Sequence, residues 1–240
     1  MCGRFNSIAS GADFAKSYGA NFVFDEIESS FNVAPTSQVY VLWREPDLVE
    51  SSRQLTAMRW GLVPSWSKDK TKAAGLINAR CETLHEKPSF KNLLSKRRCI
   101  IPMQGFYEWS VIDSHGAKPI KQAHYISRSD GKTMTVAGLW TSWVDPQSKS
   151  DSDGTRAVLS TCTIITTEAN EKLSGIHHRM PVILEPSDVD RWVGSETIAP
   201  VDLLVPAQND VLQHEITTRL QRTSNVHTPQ FVDDQTGRLF

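Results

Sequence analysis

The 240-residue sequence contains no run of eighteen apolar residues, so no helix in it is expected to span a membrane. No apolar stretch follows Met1-Cys2-Gly3-Arg4-Phe5, which argues against a signal peptide and for an intracellular protein. That means cytoplasm or nucleoid in a bacterium and nucleus in a eukaryote. Linkers rich in Pro, Gly and Ser, internal repeats and low-complexity tracts are also missing, and a single domain over 1–240 is the simplest organisation. Hydrophobic residues make up 39% and charged residues 22% of the chain, which excludes collagen, coiled coil and intrinsic disorder. A domain of this length can bury roughly 70–75% of its unfolded surface and needs no disulfide or metal for stability.

Cysteine is scarce. Cys2, Cys81, Cys99 and Cys162 form no CxxC or Cys/His pair of metal-ligand spacing, and no metal or other cofactor is expected. Cys99 and Cys162 sit in apolar runs and read as small buried hydrophobes. Cys2 lies among the first residues, which usually give a core little. A large charge of either sign is missing as well: the net charge is -1, which argues against coating duplex DNA by bulk attraction. The charge is uneven, however. Residues 53–98 hold 11 basic residues against 3 acidic, which fits either a local anion site or a solvated charged face.

Strand signals dominate what is there. Gln38 to Trp43 alternates, and Leu55 to Val63 and Arg98 to Met103 are compact strand-like runs. A meander follows: Phe106 to Ile112, a turn at Asp113–Gly116, Ala123 to Ser127, a hairpin turn at Asp130-Gly131, and Met134 to Val144. Another strand is expected from Val158 to Thr166, after a polar surface loop at 145–154. Helical signals are short: Gly11 to Tyr18, Pro88 to Leu94 with proline in the first turn, and a capping arrangement at Ser187–Asp190 ahead of Trp192. The pattern predicts an α+β domain around a mostly antiparallel, strongly curved, barrel-like sheet with short flanking helices.

Several residues can carry chemistry. When residue 2 is as small as cysteine, the initiator methionine is commonly removable, which leaves an α-amine of pKa about 8 and a thiol of pKa about 8.5 on adjacent carbons. The thiolate can then attack a carbonyl with the amine as base. Alternatively, the amine condenses with an aldehyde and the thiol closes a five-membered thiazolidine ring, which no internal cysteine can do. Glu108 shares a strand face with Phe106, with Tyr107 and Trp109 on the other. Crowding by aromatics favours its neutral form and suits a general acid/base, although a solvent-facing strand glutamate is the plainer alternative. His177 titrates near neutrality, and Arg179, two residues on, can point the same way and hold a phosphate. Asn78 and Arg80 share a face if extended and make an oxygen-and-phosphate clamp. Trp60 reads as core and Trp66 as an exposed turn tryptophan inside the basic stretch, where stacking on single-stranded bases is natural.

Six motifs appear in order: Met1-Cys2-Gly3-Arg4-Phe5, Asn32-Val33-Ala34-Pro35, Trp60-Gly61-Leu62-Val63-Pro64-Ser65-Trp66, Asn78-Ala79-Arg80-Cys81-Glu82, Gly105-Phe106-Tyr107-Glu108-Trp109 and His177-His178-Arg179-Met180-Pro181. The set resembles the SOS response-associated peptidase family, the abasic-site processing proteins that crosslink to single-stranded DNA. The resemblance runs over 2–181 and more loosely to 225–229; the tail over 206–240 follows the family less closely. It implies an α+β domain with a positively charged cleft, and a nucleophile, Cys2, that forms a thiazolidine with the sugar aldehyde of an abasic site. It gives Asn78, Glu108 and His177 as the other catalytic residues. DNA contacts are implied at Arg4, Asn32, Pro35, Trp66, Arg80, Trp109 and Arg179, with Trp66 as a wedge between strands. Single-stranded DNA with abasic sites and single-strand/duplex junctions are the implied partners, and a monomer is expected. The implied activity is self-processing at Met1, of the cysteine-peptidase type, with crosslinking chemistry akin to a lyase.

Met-Cys-Gly also opens class II glutamine amidotransferases, whose N-terminal cysteine hydrolyses an amide. Those usually continue Cys-Gly-Ile, and a basic residue at position 4 suits a phosphate better than a glutamine pocket. A non-catalytic single-strand binding module is a third reading, which leaves Glu108 and His177 without a task.

Overall fold

The computed structural model describes residues 2–24, 26–45, 52–70, 75–114, 119–148, 156–194 and 198–217. The chain begins with β1 (Phe5–Ser7), α1 (Gly11–Tyr18), β2 (Asn21–Phe22), β3 (Ser30–Val33) and β4 (Gln38–Trp43). Next come β5 (Gln54–Trp60), β6 (Asn78–Arg80), α2 (Lys91–Leu94) and β7 (Arg98–Met103). The long strands are β8 (Gly105–Asp113), β9 (Ile120–Arg128), β10 (Met134–Val144) and β11 (Val158–Glu168). Short elements follow: α3 (Glu171–Ser174), β12 (Arg179–Pro181), β13 (Ile183–Leu184), α4 (Val189–Val193) and β14 (Leu212–Thr217).

Five of these strands close on themselves. β5 pairs with β4, β4 with β7, β7 with β10 and β10 with β11, all antiparallel. β11 then runs parallel to β5, with Cys162 opposite Trp60, and completes the ring. The expected curved, mostly antiparallel architecture with few short helices is what forms. A second, antiparallel sheet has the order β14-β9-β8-β1-β3.

Alternation along the barrel strands explains the layering. Tyr40, Leu42, Leu55, Ile100, Leu139 and Ile165 pack with Phe14 and Tyr18 of α1, Leu94 of α2 and Trp192 of α4, so this set faces outward under the helices. The alternate set faces inward, including Val41, Met58, Trp60, Cys99, Ile101, Val136, Cys162 and Ile164. Phe5, Val33, Phe106, Ile126 and Leu212 of the second sheet join that same cluster. Gly138 is required by this packing: a Cβ there would lie 2.2 Å from Ile101 Cδ1 and 2.7 Å from the Thr163 carbonyl oxygen.

Polar anchors hold the helices to the barrel. Ser10 caps α1, its hydroxyl accepting from Asp13 N at 3.0 Å. The Glu26 carboxylate accepts from the Gly11 and Ala12 amides and from the Tyr40 hydroxyl, and these donors hold its carboxyl below the usual carboxylate range, the Tyr40 hydroxyl most of all. Buried Arg98 donates to the carbonyls of Leu94, Ser95, Trp192 and Gly194. One charge thereby serves the C-terminal ends of both α2 and α4.

Several local expectations need correction. Pro88 does not open a helix; α2 begins at Lys91 behind the cap residue Phe90. Asp188 makes no side-chain capping bond, because a 3-10 turn over Pro186–Asp188 leads directly into α4. The strand from Leu55 stops at Trp60, where Gly61 takes φ 116. The hairpin at Asp130-Gly131 forms as expected, with Gly131 at φ 70. Residues 115–116 of the expected turn, 149–154 of the polar loop, and 218–240, which include 225–229, lie outside the described residues, as does Met1.

Candidate active site at Cys2

Strand pairing delivers the N-terminus to the junction of the two sheets. β1 pairs with β8 (Phe5 opposite Phe106), and Tyr107 N donates to Arg4 O at 2.9 Å. Residues 2–4 therefore run alongside Glu108. Contrary to the expectation that it gives the core little, Cys2 is 0% exposed and belongs to the cluster shared by barrel and second sheet. From the barrel side, β6 pairs parallel to β11 with Asn78 opposite Ile164. That register brings Asn78 Nδ2 to the Cys2 carbonyl oxygen at 2.9 Å.

His177 arrives on a different element. Asn170 caps α3 by accepting from Leu173 N at 3.1 Å, and His177 N continues the turn by donating to Leu173 O at 3.0 Å. The ring nitrogen Nδ1 lies 2.9 Å from Arg179 N and 3.2 Å from Arg179 O, so the Arg179 backbone fixes the ring's orientation. His178 stacks on the outer side, its ring centroid 4.4 Å away.

The charges in this site act on one another. Burial pushes the Cys2 thiol well above its ordinary value, and the Glu108 carboxylate pushes it further. Burial also pulls His177 below its ordinary value, while the Glu108 charge pulls the other way. Glu108 is itself 5% exposed, so it acts on both neighbours with little solvent screening. Cys2, Asn78, Glu108 and His177, scattered over 176 positions of sequence, thus form one constellation.

The residues expected to contact DNA differ in exposure and in local partners. Arg4 Nη1 donates to Asn32 Oδ1 at 3.2 Å, and both line a groove of about 400 Å³ that also includes Ser7, Ser30, Ser37 and Tyr40. Pro35 is half-buried beside Thr36, whose φ of 77 is unusual for a β-branched residue. Arg80 is exposed and Trp109 half-buried. Trp66 is 66% exposed, whereas Trp60 is sealed in the core with its indole donating to Ile77 O at 3.0 Å.

Arg179, expected to hold a phosphate, is engaged within the protein. It is 6% exposed, its terminal nitrogens donate to both Glu82 oxygens at 2.6 and 3.0 Å, and Nη2 also donates to Thr166 O at 2.7 Å. Two neighbours escaped the sequence reading. Glu82 was visible only as part of a motif, and His124 sits opposite Glu108 across β8 and β9, a pairing that no local spacing reveals.

The sequence and fold have known counterparts. A family model described as SOS response associated peptidase (SRAP) matches residues 1–223. The chain is 33% identical to the abasic site processing protein YoqW of Bacillus subtilis, over 97% of this chain and 99% of that protein. It is 31% identical to the abasic site processing protein HMCES of Gallus gallus, over 84% of this chain and 65% of that one. A crystal structure of a Bacteroides thetaiotaomicron protein superposes with a TM-score of 0.74 at 25% identity, covering 90% of this chain and 92% of its own. The chain belongs to the SOS response-associated peptidase family.

Proposed function

We propose that this protein, once freed of Met1, captures abasic sites in single-stranded DNA as a thiazolidine on Cys2. The observation that carries the reading is the buried Cys2 with its carbonyl held by Asn78 and its thiol within the field of Glu108. Relatives named for abasic site processing give the substrate class. The chemistry balances without a cofactor. The Cys2 α-amine adds to the aldehyde of the ring-opened sugar, and the carbinolamine loses water to give an imine. The sulfur then adds to the imine carbon and the thiol proton passes to nitrogen. One water is released and the adduct is a five-membered ring.

His177 protonates the sugar oxygen as the closed ring opens, and Glu108 takes a proton from the α-ammonium and returns it during dehydration. The same carboxylate assists cleavage of the Met1–Cys2 bond, a self-processing step of the hydrolase type. Arg4 and Arg80 hold phosphates, with Asn32 and Trp109 beside the strand, and Trp66 and Pro35 block a continuing duplex. The protein acts inside the cell as a monomer and favours junctions where a duplex ends.

An amidohydrolase requires a thiolate to strike first. Burial and the Glu108 charge both disfavour a thiolate at Cys2, which favours an amine-first sequence instead. The test is a denaturing gel with an abasic single-stranded oligonucleotide. Processed protein should give a resistant band, which Cys2→Ala and a retained, blocked Met1 should each abolish. A normal yield from Cys2→Ala contradicts the reading.

A further inference from the structure

The inner face of β8 and β9 carries a second imidazole beside the candidate site. Glu108 and His124 are directly opposed in the antiparallel register, so their side chains leave the sheet on the same face with Cβ atoms about 5 Å apart. His124 is 7% exposed. Its Nε2 lies 2.9 Å from the hydroxyl of Ser110, the next residue of β8 on that face. The ring of His214 on β14 meets it edge-on with centroids 5.5 Å apart, and His214 is exposed to solvent.

We propose that His124 is a positioning residue for Glu108, an imidazole anchored by Ser110 that faces the carboxylate across β8 and β9, couples to its charge and holds it oriented toward Cys2. The inference rests on the role proposed for Glu108. A protonated imidazole opposite a buried carboxylate favours the charged forms of both groups. The titratable groups facing His124 are Glu108 from β8 and His214 from β14. Beyond Glu108 stand Cys2 and His177. His214 is exposed to solvent, whereas His124 is buried opposite the carboxylate. His124 is therefore the ring whose charge the facing carboxylate feels with least screening.

Two readouts test this, one of them independent of crosslinking. In the folded Met1-free protein, the His124 ring is titrated by NMR with and without Glu108→Gln. Loss of the carboxylate should lower the His124 midpoint by about one pH unit or more. An unchanged midpoint overturns the proposal whether or not the protein captures DNA. In the crosslinking assay, His124→Phe should move the acid limb of the rate profile to higher pH, and Ser110→Ala, which frees the ring without removing it, should shift it less. A uniform loss of rate at every pH with no displacement of the limb would make His124 merely structural and also overturn the proposal. If the wild-type protein forms no adduct at all, the reading of the function fails, and the NMR titration still decides the coupling.

Discussion

Glu108 and His177 reach Cys2 from different elements, one from β8 and one from the turn after α3, and their environments suit different tasks. His177, drawn below its ordinary value by burial, gives up a proton readily. Glu108 stands buried at the junction of the two sheets, where a carboxylate's charge is little screened. Glu108→Ala and His177→Ala should each slow crosslinking by roughly ten- to ten-thousand-fold, the usual span for general acid–base groups, with DNA affinity nearly intact. Rate and affinity falling together in a binding assay would reassign either residue to binding or folding. A second residue-scale prediction concerns Glu82, whose carboxyl the Arg179 guanidinium holds below the usual carboxylate range. A depressed carboxylate stabilises the fold above its unfolded pKa, and that contribution is lost as pH falls through the folded value. Glu82→Gln should therefore cost about 1 kcal/mol at neutral pH, because the carboxylate side of this pair is exposed although the guanidinium is buried. The difference from wild type should shrink below about pH 4 in denaturant titrations.

At the scale of elements, the strands of the barrel were the most legible part of the sequence. Gln38–Trp43, Arg98–Met103 and Met134–Val144 form with the boundaries their patterning predicts, because alternation or unbroken apolar character decides a strand locally. The two-residue strands β2 and β13 escaped, since their pairing is imposed by neighbours and not by their own residues. The site divides the same way. Cys2, Asn78, Glu108 and His177 were legible as motifs, whereas the burial of Cys2, the commitment of Arg179 to Glu82 and the approach of His124 depend on strand register. Register also explains Gly138, which lies where β7 and β11 crowd β10 from both sides. Gly138→Ala should destabilise the barrel by about 3 kcal/mol in chemical denaturation, because the Thr163 carbonyl cannot move aside as a side chain can. A change under about 1 kcal/mol would mean the barrel wall is more yielding than its packing implies.

For the molecule as a whole, the near-neutral charge and the concentration of basic residues over 53–98 make DNA binding a local matter. Affinity should fall as salt rises, with a slope of roughly 0.7 per neutralised phosphate on single strands. Arg80→Ala should reduce that slope by about that increment without altering the yield at saturation. Trp66, standing out from the surface, should give single strands and junctions preference over intact duplex, and Trp66→Ala should weaken that preference. Equal affinity for duplex and single strand at one salt concentration would remove the wedge from the account. The most direct test of the central claim is mass spectrometry of the adduct formed by Met1-free protein and an abasic oligonucleotide. The N-terminal peptide should carry the sugar remnant on Cys2, with the combined mass less one water and no free thiol at that residue. A remnant mapped to a lysine, or to Cys81, Cys99 or Cys162, would contradict the account.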